Sequence, residues 1–313
     1  MLLLDGGLGH LLKENGLRIP GLPYDQQFLA GVLANEAAPD AVKAAHKQYI
    51  AAGCRCITTN NFVATRYSLA KVKREADVAQ LTQLAGRLAR EAVQESGRAV
   101  LVAGSLPPLQ ESYQSSGLPS AAAMQQEYSQ TARALCADVD VFLAETLSTV
   151  AEADAALQAT AQLGKPVWVS FTLEDSTSCC LRSKESLAAA VHSISQHAHL
   201  AAVLVNCCAP GAVTAALPVL KQHAPWGVHV GCYANGFQTT TTQWISGADQ
   251  SLLQSDPDDY DARGIITLQA YAACAKAWQA AGAEYIGGCC GLLQPASERL
   301  RLLSDHHLVP PPA

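Results

Sequence analysis

Apolar runs of strand length alternate with helix-length segments from one end of this 313-residue chain to the other. The runs fall at 2–5, 54–59, 99–106, 139–146, 166–173, 200–207, 227–233 and 284–288. Helical pattern fills 39–52, 76–95, 121–136, 149–163, 187–198, 213–223, 265–281 and 295–304. The punctuation agrees with this division: Pro107-Pro108 stops the third run, and Gly164 ends the helix after the fourth. Eight strands alternating with helices predict an α/β fold of the (β/α)8 TIM-barrel type, one domain over 1–313 with 309–313 as a short tail. An open doubly wound sheet is the alternative, and it would be supported by a dinucleotide fingerprint. Asp5-Gly6-Gly7-Leu8-Gly9 has the glycines without the spacing, and no acidic residue follows at the required distance. The segment 235–264 reads as a long polar loop before the seventh helix.

In a barrel the C-terminal ends of the strands converge on one mouth, where active sites form. The residues there are Asp5, Asn60, Ser105, Glu145, Thr172, Cys207, Tyr233 with Asn235, and finally Cys289 and Cys290. The last two sit in Gly287-Gly288-Cys289-Cys290-Gly291. Neighbouring side chains of a regular strand point to opposite faces, so two adjacent thiols share a partner only if the backbone bends, and glycine permits bending. A soft metal such as zinc suits two such sulfurs, and Cys207, at the end of the sixth strand, is the natural third ligand. Strands six and eight flank strand seven, so barrel geometry brings these thiols within reach of one ion. Three thiolates leave a position open, as in a catalytic rather than a structural zinc site. Adjacent cysteines can also be small buried hydrophobes or a redox pair, and late glycines in a barrel can cradle a phosphate.

Charge and cysteine usage narrow the field. With 21 basic and 27 acidic residues the net charge is −6, and no basic run occurs, which predicts no nucleic-acid partner. The apolar start, Met1-Leu2-Leu3-Leu4-Asp5, is too short and lacks the basic region of a signal peptide, and no apolar stretch is long enough to span a bilayer. A cytoplasmic protein without a membrane partner is expected. In that compartment eleven cysteines read as thiols or ligands rather than disulfides, and no Cys-x-x-Cys is present. Cys208 should face away from the metal. Cys54, Cys56, Cys136, Cys232 and Cys274 read as packing residues, and Cys179-Cys180 as incidental. His192, His197 and His199 lie on or just after a helix, and Trp168 reads as core.

Taken together, the glycine-flanked cysteine pair, Asn206-Cys207, Asp5-Gly6-Gly7-Leu8-Gly9, Glu145-Thr146 and Tyr233-Ala234-Asn235 resemble the homocysteine S-methyltransferase family, in the same order and over nearly the whole chain. The resemblance implies a zinc-dependent barrel that methylates homocysteine to methionine. It assigns Zn2+ to Cys207, Cys289 and Cys290, the homocysteine amino group to Asp5 and Glu145, and its carboxylate to the backbone at Gly6 and Gly7. Family donors include S-methylmethionine, S-adenosylmethionine, betaine and methylfolate; the chain has no room for the cobalamin domains of methylfolate users. Asn60, Ser105, Tyr233 and Asn235 are further candidate substrate contacts at the mouth. The sequence departs from the family at three places: His10 stands where Thr is common, Phe28 replaces a tryptophan of the donor region, and Gly104-Ser105-Leu106-Pro107-Pro108 differs from a Gly-Pro-Tyr-Gly loop. The partners expected are small molecules, homocysteine and a sulfonium, with S-methylmethionine favoured and Phe28, Tyr233 and Trp244 as aromatic surface for its charge. An aldolase or isomerase barrel would need a base such as lysine at a strand end, and none is there. A betaine-using enzyme or a non-catalytic zinc and thiol binder are the remaining readings; the latter leaves Asp5 and Glu145 unexplained.

Overall fold

The computed structural model describes residues 1–237 and 259–292, apart from the side chains of Tyr24 and Asp25. The predicted helix 295–304, the tail 309–313 and Trp244 lie outside the described residues. The strands are β1 (Leu2–Leu3), β2 (Cys56–Thr58), β3 (Leu101–Leu106), β4 (Val141–Leu147), β5 (Val167–Phe171), β6 (Leu200–Asn206), β7 (His229–Tyr233) and β8 (Tyr285–Ile286). They form one parallel sheet in the order β1-β8-β7-β6-β5-β4-β3-β2. A single bridge, Leu4 to Cys56, and the Arg55 N–H donating to the Leu3 carbonyl at 2.8 Å join its two ends. The fold is therefore the (β/α)8 barrel that the alternation predicts.

The helices are α1 (Leu8–Glu14), α2 (Ala30–Ala37), α3 (Pro39–Ala52), α4 (Arg66–Ala70), α5 (Val78–Ser96), α6 (Ala121–Leu135), α7 (Val150–Thr160), α8 (Leu187–Ile194), α9 (Pro210–His223) and α10 (Leu268–Ala280). Their starts follow from sequence chemistry. Thr149 and Glu152 satisfy each other's backbone donors in a capping box, and Pro39 and Pro210 open their helices where a missing N–H costs nothing. The expected start at Val213 therefore moves back to Pro210. Helix α1 was not expected; it is short and is held by Leu8, Leu11 and Leu12, which bury one face. No helix among the described residues is long and apolar enough to cross a membrane.

Strand alternation separates two apolar layers. Leu2, Leu4, Cys56, Ala103, Val141, Leu143, Trp168, Ala202, Leu204, Tyr233 and Tyr285 fill the barrel interior. Val102, Phe142, Val167, Val169, Val203, Val205, Cys232 and Ile286 face the helices. Trp168 is thus core, as expected. The same two-residue period carries the inward face of β4 from Leu143 to Glu145, and that of β6 from Leu204 to Asn206. This phase is what delivers polar side chains to the mouth.

Candidate metal centre

Cys207 breaks the phase of β6. Asn206 faces inward, so its successor should face the helices, yet Cys207 has φ +52°, a left-handed turn rare outside glycine. Its thiol is thereby brought inward beside Asn206, while Cys208 turns outward into the core between sheet and helices. The turn is pinned at several points. The Cys207 N–H donates to Tyr233 O (3.2 Å), the Thr172 hydroxyl donates to Cys207 O (3.2 Å), and the Asn235 N–H donates to Cys208 O (3.1 Å). Asn206 sits beneath, accepting from the Thr146 N–H and the Ser170 hydroxyl and donating to Thr146 Oγ1.

Cys289 arrives by a different device. Alternation from Tyr285 through Gly287 points it inward, and the Leu292 N–H closes a tight turn on its carbonyl at 3.1 Å. Gly287 serves close approach: a Cβ there would lie 2.6 Å from that of Leu4. The left-handed residue of the motif is Gly291, φ +78°, and it follows the pair rather than preceding it. The sulfurs of Cys207, Cys289 and Cys290 all lie within 4.8 Å of one another, with Cys207 and Cys290 3.9 Å apart. Zinc–sulfur bonds of about 2.3 Å in a tetrahedron separate neighbouring sulfurs by about 3.8 Å, so this donor set fits the ion. Cys290 is held well below the usual thiol range by hydrogen bonds from Cys207 and Cys289, with a smaller contribution from His10. Burial pushes the Cys208 thiol up to about 12. Among the described residues no other group of this kind is present; Cys179 and Cys180 stand apart in the β5–α8 loop.

Two buried carboxylates share the mouth. Asp5 accepts from the Thr58 N–H at 2.7 Å and the Thr58 hydroxyl at 3.0 Å. Glu145 accepts from Ser105 Oγ at 2.6 Å and from the Tyr233 hydroxyl at 3.1 Å. Burial raises each to about 7, against the lowering effect of these bonds; the Glu145 charge adds to the rise at Asp5, and that of Cys290 to the rise at Glu145. Ser105 and Tyr233 therefore meet the site through Glu145. Gly6 and Gly7 pack on the cysteine turn, where the Gly7 N–H donates to Leu292 O at 3.1 Å. Asn235 is fully buried, and its side-chain amide has no partner among the described residues. Asn60 turns elsewhere: its amide donates to Gly31 O and Asn35 Oδ1, tying the end of β2 to α2. The Phe28 ring carries the Lys71 ammonium at 5.1 Å from its centroid.

Sequence reasoning missed Thr58 and Tyr113. Thr58 is a strand-end hydroxyl next to β1, a position the barrel order could have exposed. Tyr113, in the loop after β3, places its hydroxyl 3.0 Å from Cys207 Sγ, and nothing in the local sequence marks it.

Comparison with known proteins bears on what this arrangement does. The family model described as homocysteine S-methyltransferase matches residues 2–297. Homocysteine S-methyltransferase of Escherichia coli (strain K12) is 29% identical over 310 residues, covering 93% of this chain and 91% of that one. Homocysteine S-methyltransferase YbgG of Bacillus subtilis (strain 168) is 24% identical, covering 93% and 90%. The crystal structure of the homocysteine methyltransferase MmuM from Escherichia coli, metallated form, superposes with a TM-score of 0.77 at 25% identity, covering 97% of this chain and 96% of MmuM.

Proposed function

The chain belongs to the homocysteine S-methyltransferase family, and from that premise we propose that it makes methionine by moving a methyl group from a sulfonium donor to homocysteine at a zinc centre of Cys207, Cys289 and Cys290. The observation that carries the proposal is the convergence of three sulfurs within 4.8 Å beside two buried carboxylates. Zinc held there would keep one position open and supply the deprotonation of the incoming homocysteine thiol.

The chain's own residues supply the rest. Asp5 and Glu145 receive the homocysteine ammonium, whose charge draws both carboxyls to the ionised form. Thr58, Ser105 and Tyr233 fix the orientation of those carboxylates. The backbone at Gly6 and Gly7 lies near the substrate carboxylate, and the buried Asn235 amide is a further candidate contact for a polar group of the bound substrates. As the homocysteine sulfur takes the methyl carbon, the donor C–S bond breaks and its electron pair stays on the donor sulfur. The leaving group is a neutral thioether, so no residue has to protonate it, and no strand end carries lysine or arginine. The Phe28 face already holds a lysine cation, so donor recognition rests on other contacts, such as the amino-acid end of S-methylmethionine. That end favours S-methylmethionine over betaine, with S-adenosylmethionine as the weaker sulfonium.

The test is methionine formation by zinc-loaded enzyme at saturating homocysteine, comparing kcat/KM for the three donors. S-Methylmethionine should lead. Betaine outperforming both sulfoniums would overturn the donor assignment, and no methionine from any donor would overturn the whole reading.

A further inference from the structure

The three-cysteine reading leaves one neighbour of the site unused. The Tyr113 hydroxyl, 3.0 Å from Cys207 Sγ, belongs to a segment whose placement is held from both sides. Tyr113 has φ +69°, which a non-glycine residue keeps only where its surroundings impose it. Two residues earlier, Glu111 accepts from the Tyr67 hydroxyl (3.1 Å) and from Lys71 (2.9 Å), fixing the loop to α4 and the residue just after it. On the other side the Arg182 guanidinium lies over the Tyr113 ring, 4.8 Å from its centroid. Arg182 pairs with Asp175 at 3.0 Å, and both side chains are largely buried. The second Asp175 oxygen accepts the Ala209 N–H at 2.7 Å, two residues after Cys207. Asp175, Arg182 and Tyr113 thus form a path that leaves the Cys207 turn at its backbone and returns to it at the sulfur.

We propose that Tyr113 is a positioning residue for methyl transfer, held by Arg182 and Asp175 so that its O–H donates to the Cys207 thiolate. The proposal rests on the zinc reading above, because a metal ligand must be a thiolate, which can only accept. A guanidinium on the ring face draws electron density from the phenol and strengthens its O–H as a donor. A thiolate that accepts such a bond passes less charge to the metal it holds. The metal then binds the homocysteine sulfur more tightly, and that sulfur is less nucleophilic. Tyr113 therefore favours acceptor binding over the rate of transfer.

The test compares wild type with Tyr113→Phe, which keeps the ring under Arg182, and with Arg182→Lys, which keeps a cation beside Asp175. Each is loaded with cobalt(II) and, separately, titrated with zinc against a chromophoric chelator. In Tyr113→Phe the sulfur-to-cobalt charge-transfer band should move to longer wavelength, and zinc affinity should fall roughly ten- to a hundredfold, because the hydroxyl also holds the Cys207 sulfur in place for the ion. KM for homocysteine should rise while kcat holds or increases. Arg182→Lys should shift the band in the same direction by a smaller amount, and it serves as the readout if Tyr113→Phe does not fold. A folded Tyr113→Phe with the wild-type band and zinc affinity would overturn the proposal, as would an unshifted band in Arg182→Lys if that is the only variant that folds. Wild-type protein without any sulfur-to-cobalt band would instead overturn the zinc reading, and the proposal with it.

Discussion

Replacing Glu145 with Gln should weaken homocysteine binding and, in the substrate-free protein, raise stability at neutral and alkaline pH. Both effects come from the same burial. Glu145 is lifted from an ordinary 4.5 to about 7, chiefly by desolvation. A carboxyl whose pKa is higher folded than unfolded keeps its proton longer in the native state. Stability therefore falls as pH rises between about 4.5 and 7, and the loss is complete above 7. A shift of that size corresponds to about 3 kcal/mol at full ionisation, as an order of magnitude. Glutamine never ionises, so this part of the decline should vanish, while the part due to Asp5 stays. The substitution is mild in shape, because the Ser105 and Tyr233 hydroxyls can rotate to meet an amide oxygen and an amide N–H. In the zinc-loaded enzyme the same change removes a charge-assisted bond to the substrate ammonium, worth about 1.5–3 kcal/mol, or roughly ten- to a hundredfold in Kd. The gap between wild type and Glu145→Gln should widen as pH rises through 7, where the wild-type carboxylate becomes fully charged. Denaturant melts of reduced, zinc-free protein from pH 5 to 8 read the first effect, and calorimetric titration with homocysteine reads the second. Unchanged homocysteine affinity at wild-type zinc content would refute the clamp; a stability curve in Glu145→Gln falling as steeply as in wild type would refute the burial argument.

Three further outcomes follow from the geometry. Alanine at Cys207, Cys289 or Cys290 should remove zinc and activity together in metal analysis and methionine assays, whereas Cys208→Ala should keep both and lose only about 1 kcal/mol of packing. Thr58→Val deletes the hydroxyl bond to Asp5 but not the amide bond, so homocysteine Kd should rise severalfold with zinc content unchanged; wild-type binding would show that Asp5 does not depend on it. Gly287→Ala places a Cβ 2.6 Å from that of Leu4 and 2.9 Å from Asp5 O, so the β8–β1 seam should yield, with about 1–3 kcal/mol lost and less zinc retained; a wild-type melting curve would contradict this.

The parts of this site that the sequence made legible are those that depend on strand phase. Leu204, Asn206, Leu143 and Glu145 face inward because each lies an even number of positions from an interior apolar residue, and the eight apolar runs alone imply the mouth they share. The cysteine pair was legible through its glycines, although the left-handed glycine proved to be Gly291. What stayed hidden depends on contacts between distant segments. The inward turn of Cys207 rests on a positive φ at a non-glycine residue, which no local pattern signals. The partner of Asp5 emerges only when β1 and β2 meet at the seam that closes the barrel. Asn60 lies two residues past the end of β2 rather than at it, and α2 offers a carbonyl and an amide that claim its side chain. Phe28 looked open to a donor cation, and Lys71, remote in sequence, covers it. Tyr113 reaches Cys207 from a loop with no periodic pattern at all.

In the proposed centre three protein sulfurs bind one zinc ion and leave a place for a fourth from the substrate. X-ray absorption at the zinc edge, recorded without and with homocysteine, tests it directly. Three sulfurs at about 2.3 Å with one lighter neighbour are expected in the free enzyme, and four sulfurs once homocysteine is bound. Two or fewer sulfurs in the free enzyme, or a sulfur count that homocysteine leaves unchanged, would contradict it.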